Sequence, residues 1–352
     1  MKIEAVDLFC GIGGLTYGIK RSGIEVLAGI DIDATCEYAY TENNSVPFIH
    51  KPIEEVTAAE LMTLYNEDSI KVLMGCAPCQ PFSRYTYRYK KTGYKDSRWK
   101  LLFDFARLIK EIKPGIVSME NVPILRNATV FHEFLKTLNE TKYHVSWGIV
   151  NSADYGVPQG RKRLVLLASR YGDISLIEPT YAEGSYVTVR DAISHLAKLK
   201  HGEISADDPM HRASGLTKIN QLRIRQSVPG GTWEDWDESL LLRCHRKGTG
   251  RTYKSVYGRM EWDKPAPTIT TQFYGYGNGR FGHPEQDRAI SLREGAISQS
   301  FPDDYKFFAT KGEMTSRQIG THIGNAVPIR LAEAIGKSIV EHLEERRDMF
   351  VQ

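Results

Sequence analysis

The segment Gly75-Cys76-Ala77-Pro78-Cys79-Gln80-Pro81-Phe82-Ser83 carries the residue best placed for covalent chemistry, Cys79. It follows a short apolar run, Val72-Leu73-Met74, that reads as a buried strand, and it turns on two prolines that fix the backbone. A cysteine in such a turn is placed to face a cleft rather than fill a core. Its role is open among nucleophile, redox thiol, metal ligand and small buried hydrophobe. Cys76 and Cys79 share the Cys-x-x-Cys spacing of zinc and dithiol sites. A structural zinc needs four ligands, and the chain offers no second such pair. A redox dithiol usually opens a helix, which Gln80-Pro81 makes less natural. The nucleophile is the favoured reading.

A free thiol ionises near pH ~8.5, so a nucleophilic cysteine needs cationic or hydrogen-bonding help. Arg161 and Arg163, in Gln159-Gly160-Arg161-Lys162-Arg163, are the candidates, with a solvated basic turn as the plainer alternative. Glu120 is the natural acid partner because it leaves the apolar run Ile116-Val117-Ser118-Met119. Partial burial there would favour its protonated form and let it donate a proton at neutral pH. An ordinary acid opening a helix is the competing reading. A third cluster is the glycine turn Gly11-Ile12-Gly13-Gly14 after the strand-like Ile3 to Phe9, with Asp31 ending the strand-like Val26 to Ile30. Close backbone approach, a helix N-terminus and an acid for ribose hydroxyls together suggest an adenosine-containing cofactor. The spacing is not that of a dinucleotide site.

The elements that must position these residues alternate. Strands are expected at 3–9, 26–30, 72–74, 116–119, 144–150 and 164–168, and helices at 15–20, 34–40, 58–65, 98–112 and 130–138. Such alternation predicts an α/β, Rossmann-like, mostly parallel sheet with helices on both faces. Ligands in such sheets bind beyond the carboxyl ends of strands, where the glycine turn, Asp31, Gly75 to Ser83 and Glu120-Asn121 all fall. From about 175 to 322 the segments are short and rich in Gly, Pro, Trp and Tyr, which predicts a smaller loop-rich domain. An amphipathic helix over 329–343 is expected to return to the first domain. The expected division is 1–175 with 323–352, and 176–322.

With 352 residues, 41% hydrophobic and 25% charged, the composition is that of a soluble globular protein. No apolar run reaches the ~18 residues of a membrane span, and no signal peptide is read at the N-terminus. A cytoplasmic location is expected. Five cysteines make an odd, sparse set that argues against a disulfide framework. The net charge of +3 is small, but two windows concentrate positive charge.

In its motifs the chain resembles the DNA cytosine-5 methyltransferases of the compact bacterial type. The matching blocks are Asp7-Leu8-Phe9-Cys10-Gly11-Ile12-Gly13-Gly14, Ala77-Pro78-Cys79-Gln80-Pro81-Phe82-Ser83, Met119-Glu120-Asn121-Val122, Tyr155 to Arg163, Pro265 to Thr270, and Gly324-Asn325-Ala326-Val327-Pro328, in the family's order. The resemblance implies that Cys79 attacks C6 of a cytosine, that Glu120 holds the N3 and N4 edge and protonates N3, and that Arg161 and Arg163 hold the base and support the thiolate. It implies S-adenosylmethionine, with S-adenosylhomocysteine as product, lined by Phe9, Gly11, Gly13, Leu15, Asp31, Ile32, Pro78 and Asn325, and no metal. Where the family often has an acid for the adenine, this chain has Pro52 in His50-Lys51-Pro52-Ile53, with Glu54 as the nearest substitute.

A cytosine inside the base stack must be flipped out to be reached. The window 84–100 sets Arg84, Arg88, Lys90, Lys91, Lys95, Arg98 and Lys100 against the single acid Asp96, with Tyr85, Tyr87, Tyr89, Tyr94 and Trp99 interleaved. Gln80, Ser83, Arg84 and Arg88 are expected to meet DNA. The second window runs from Arg243 to Arg259, and Arg243, Arg246, Lys247, Arg251 and Lys254 are its expected DNA contacts. Thr268 to Thr271 is expected to support packing. The expected partner is double-stranded DNA, bound by a monomer, in a restriction-modification or related defence setting. The competing readings are a transfer-RNA cytosine-5 methyltransferase and a catalytically inactive DNA-binding regulator.

Overall fold

The computed structural model describes residues 2–78, 100–247, 252–310 and 314–350. In chain order its main elements are β1 (Ile3–Leu8), α1 (Gly14–Arg21), β2 (Glu25–Asp31), α2 (Glu37–Asn44), β3 (Phe48–His50), α3 (Ala58–Met62), β4 (Ile70–Gly75), α4 (Lys100–Ile112), β5 (Ile116–Asn121), α5 (Thr129–Glu140), β6 (His144–Asn151), β7 (Gln159–Gly160) and β8 (Lys162–Ser169). There follow α6 (Val189–Ile193), α7 (Lys218–Gln226), β9 (Ala266–Pro267), α8 (Leu292–Ser298), α9 (Ser316–Asn325) and α10 (Ile329–Glu344). They form two compact units. The first holds Met1–Tyr155, Lys162–Thr180 and Val327–Gln352; the second holds Gly156–Arg161 and Tyr181–Ala326.

The first unit is a seven-stranded sheet in the order β3-β2-β1-β4-β5-β8-β6. All its strands run parallel except β8, which pairs antiparallel with both β5 and β6. The reason is the connection. Only residues 152–161 separate β6 from β8, fewer than the dozen or more that a parallel crossover needs. The strand order reverses at β1, which lies between β2 and β4, so the fold has a switch point at the ends of these strands.

Side chains alternate between two buried faces, which is why the strands read as apolar runs. Val6, Leu8, Leu73, Val117, Met119, Leu164 and Leu166 join Phe105, Phe131 and Phe134 on one face. Ala5, Val72, Met74, Ile116, Val165 and Leu167 join Ile19, Leu331, Ile335 and Ile339 on the other. On that second face α10 crosses α1 closely: a Cβ on Gly18 would lie 2.4 Å from the Ile329 carbonyl oxygen.

The second unit has short helices and long irregular connections. Ile224, Trp233, Trp236, Leu240, Tyr276 and Ala289 form an apolar cluster there. Buried polar ties supply much of the remaining order. The Arg288 guanidinium, fully buried, makes two 2.7 Å bonds to the Glu294 carboxylate, which also accepts from the Ser291 backbone N–H at 2.6 Å. These bonds, with the Arg288 charge and that of His283, hold Glu294 at about 2 against the opposing effect of its burial.

Candidate active site

At the carboxyl end of β1 the chain turns through three left-handed residues, Phe9 (φ 60°), Gly11 (φ 51°) and Gly13 (φ 86°). Glycine takes this conformation without strain; Phe9 does not, and its presence marks a turn fixed by its surroundings. The turn is tied to β2 by the Cys10 N–H, which donates to the Ile30 carbonyl at 3.1 Å. The Gly11 N–H donates to Asp31 Oδ2 at 2.8 Å, and the Asp33 N–H to Asp31 Oδ1 at 2.9 Å. Burial pushes the Asp31 carboxyl up from its ordinary range, with these two N–H donors opposing it. Beside it Ile32 is 66% exposed, an apolar side chain left uncovered at a strand end. A His50 ring nitrogen lies 2.9 Å from the Ile32 carbonyl oxygen, joining the ends of β2 and β3.

Beneath the turn, Thr16 Oγ1 donates to Asp7 Oδ2 at 2.7 Å and lies 3.1 Å from the Tyr40 hydroxyl. Burial pushes Asp7 up to about 7. Leu15, expected to line a cofactor, is buried and joins the core cluster on the second face of the sheet. Pro52 caps a short 3-10 turn, Ile53–Glu55, in which Glu54 is exposed.

At the ends of β4 and β5 lies the second group. The parallel register sets Gly75 beside Met119, which brings Cys76 next to Glu120. Cys76 Sγ donates to Glu120 Oε2 at 2.8 Å. Arg163 Nε, from the strand on the other side, lies 2.8 Å from Glu120 Oε1. The two form a nearly buried ion pair. Glu120 is only 3% exposed. The neighbouring Asn121 Nδ2 donates to the Ala77 carbonyl at 3.0 Å, and Asn121 Oδ1 accepts from the Val122 N–H at 2.9 Å. β5 therefore holds the exit of β4 at Cys76 and Ala77, just before the exposed Pro78. Cys76 is thus a hydrogen-bond partner of the candidate acid. Cys79, Gln80, Ser83, Arg84, Arg88 and Arg251 lie outside the described residues. A cavity of about 250 Å³ along β6, lined by Trp147, Tyr155 and Ile177, contains none of the candidate residues.

Arg161 and Arg163 are two residues apart but belong to different units. Arg161, 2% exposed, donates from Nη1 to the Ile269 carbonyl at 2.8 Å and from Nη2 to the Gly324 carbonyl at 3.0 Å. Gln159 adds to this brace: its Oε1 accepts from the Ile269 N–H at 2.7 Å, and its Nε2 donates to the Ser298 carbonyl at 2.8 Å. Thr268 Oγ1 donates to the Gly160 carbonyl at 2.8 Å, a packing contact. Asn325 is exposed at the end of α9.

In the basic window, Arg243, Arg246 and Lys247 are exposed around a buried His245, whose ring stacks on Trp233 at 4.1 Å. Arg246 donates to the Glu238 carbonyl at 2.9 Å, and Lys254 pairs with Glu234 at 2.8 Å. The far end of the window is different. Arg259 is buried, donating to the carbonyls of Ile224, Ser227, His283 and Gln286 and pairing with Asp287. It is a structural brace, and the basic surface ends before it.

A switch-point sheet with an acid-closed glycine turn, and a buried carboxylate held between a thiol and a guanidinium, defines an α/β enzyme. The chain belongs to the C-5 cytosine-specific DNA methylase family, whose model matches residues 3–341. It is 54% identical over 342 residues to Type II methylase M.HgiDII of Herpetosiphon aurantiacus, covering 96% of this chain and 95% of that one. Type II methyltransferase M1.HphI of Haemophilus parahaemolyticus is 31% identical, with 97% and 87% covered. Among solved structures, one assigned as a prophage-encoded DNA modification methyltransferase of E. coli superposes with a TM-score of 0.73 at 22% identity, covering 97% and 100% of the chains. A mutant of the Spodoptera frugiperda protein DNMT2 gives 0.66 at 16% identity, covering 96% and 100%. The chain is a DNA (cytosine-5-)-methyltransferase on a Rossmann-like fold. No described helix is long and apolar enough to cross a membrane.

Proposed function

We propose that this enzyme methylates C5 of a cytosine flipped out of duplex DNA, through a covalent bond between Cys79 and C6, using S-adenosylmethionine. The observation that carries the reading is the Glu120 carboxylate, buried at a strand end between Arg163 and Cys76. A carboxyl group so fixed can meet the N3 and N4 edge of a base while water is excluded.

The residues at the β1 and β2 ends fit the cofactor. Among the described residues a Cβ at Gly11 would meet nothing within 4 Å, which leaves room for a ligand at the turn. Ile32 offers an exposed apolar surface for a flat ring, and Asp31 a carboxylate beside it. Phe9, Gly13 and Pro78 are assigned to the same site. Bound there, S-adenosylmethionine supplies an electrophilic methyl group.

The protein's part is the activation of the base. The Cys79 thiolate forms a C–S bond at C6, and the C5=C6 electrons shift toward C5 and N3. Glu120 supplies the proton at N3, and the Arg163 cation keeps the carboxyl oriented. Once C5 is methylated, a base, water included, takes the C5 proton, the C5=C6 bond re-forms as Cys79 leaves as the thiolate, and N3 returns its proton to Glu120. Arg161 braces the second unit, and Arg243, Arg246 and Lys247 present cations to phosphates. Lys254 and Arg251 extend the same basic segment, and Gln80, Ser83, Arg84 and Arg88 serve DNA beside the nucleophile. The enzyme acts as a monomer on DNA and needs no metal.

Bisulfite sequencing of DNA from cells expressing the protein tests this. One cytosine within a short fixed sequence should be protected. Methyl transfer to transfer RNA but not to duplex DNA would replace this reading with the RNA one.

A further inference from the structure

We propose that Cys76 is a positioning residue for Glu120, an inference that rests on the reaction proposed above. Four of the cysteines have described surroundings. Cys10 and Cys36 are buried, and burial pushes both thiols up. Cys244 is exposed. Cys76 alone of these has a hydrogen bond to the candidate acid, at 2.8 Å from Sγ to Oε2.

The geometry explains why that bond matters. Glu120 reaches the site through three rotatable side-chain bonds, and fixing such a chain costs rotamer entropy. Arg163 pairs with Oε1 at 2.8 Å and so holds one of the two carboxylate oxygens. The thiol supplies the directed contact to the second oxygen. It comes from the neighbouring strand end, where Gly75 and Met119 are in register. Asn121 ties the next residue of the same turn, through the Ala77 carbonyl, so the thiol's position is itself held. A thiol is a weak donor, able to orient a carboxylate and to yield when a base edge competes for the oxygen.

The inference predicts a defect in the chemical step and not in binding. With duplex DNA and S-adenosylmethionine, Cys76→Ala should lower kcat about tenfold, the low end for losing a hydrogen bond to a charged group. Its KM for DNA and its melting temperature should stay close to wild type. Cys76→Ser, which retains an O–H donor, should recover most of the lost kcat. Wild-type kcat in Cys76→Ala overturns the inference. So does an equal loss in both variants, or a loss that follows KM or thermal stability, since each means that the thiol only packs. Cys79→Ser is run in parallel. If it still transfers methyl groups, the reaction itself is misassigned; if it is inactive while Cys76→Ala is normal, only the role of Cys76 falls.

Discussion

Replacing Arg161 with methionine should weaken the second unit far more than it alters any surface. The guanidinium is 2% exposed and satisfies the carbonyls of Ile269 and Gly324, from two segments more than fifty residues apart, at 2.8 and 3.0 Å. Methionine fills similar space and donates nothing. Two buried carbonyls without donors cost about 1–3 kcal/mol each. Part of that is offset because a guanidinium no longer has to be desolvated. A net loss of about 3 kcal/mol is expected. Arg161→Lys should fall between, since one ammonium reaches two separated carbonyls less well than a planar fork. Urea unfolding followed by tryptophan fluorescence reads this, because Trp233, Trp236 and Trp262 all lie in the second unit. A variant that unfolds at the wild-type urea concentration but has lost methyl transfer would refute the reasoning. It would mean that the guanidinium acts on the substrate and that the brace is incidental.

Three further outcomes are expected. Asp7, raised to about 7 by burial, ionises in the unfolded chain near pH ~3.9, so it costs stability increasingly as pH rises from about 4 to 7. Asp7→Asn, which can still accept from Thr16, should flatten the urea midpoint between pH 5 and 8; parallel profiles would contradict this. In the second unit the signs are opposite. His283, lowered to about 4 chiefly by burial, and Glu294, held at about 2, lose their contribution as pH falls, below about 6.5 and about 4.3 respectively. Arg288→Met, by leaving Glu294 buried without its partner, should cost about 3–5 kcal/mol at pH 7 in chemical unfolding. Finally, Arg246→Ala with Lys247→Ala should weaken binding to all DNA sequences alike and make its salt dependence shallower, by up to about one unit of slope for each phosphate no longer neutralised; fluorescence anisotropy over a salt series measures it.

What sequence revealed and hid follows from the physics of each position. The strands β1, β2, β4 and β5 were legible because burial on both faces makes them short apolar runs, and Glu120 because it ends one of them. β8 was legible as a strand, but its antiparallel direction was not, since that is set by a short connection rather than by its own residues. The Cys76–Glu120 bond depends on the register of neighbouring strands, which no local pattern encodes. Arg161 and Arg163 look like a pair in sequence, but the six-residue segment Gly156–Arg161 packs in the second unit. Arg259 counts as one more cation in a basic window, yet its side chain turns inward to bind carbonyls. Charge is legible from sequence; direction is not.

The central claim is that Cys79 forms a bond to cytosine C6, and trapping that bond tests it most directly. A duplex carrying 5-fluorocytosine at the methylated position cannot lose fluorine as a cation from C5, so the adduct should persist. Incubated with the enzyme and S-adenosylmethionine, it should yield a denaturation-resistant complex whose mass is that of protein, DNA strand and one methyl group. Peptide mapping should place the link at Cys79. No stable complex on a duplex that the enzyme otherwise methylates, or a link at Cys76 instead, would contradict the account.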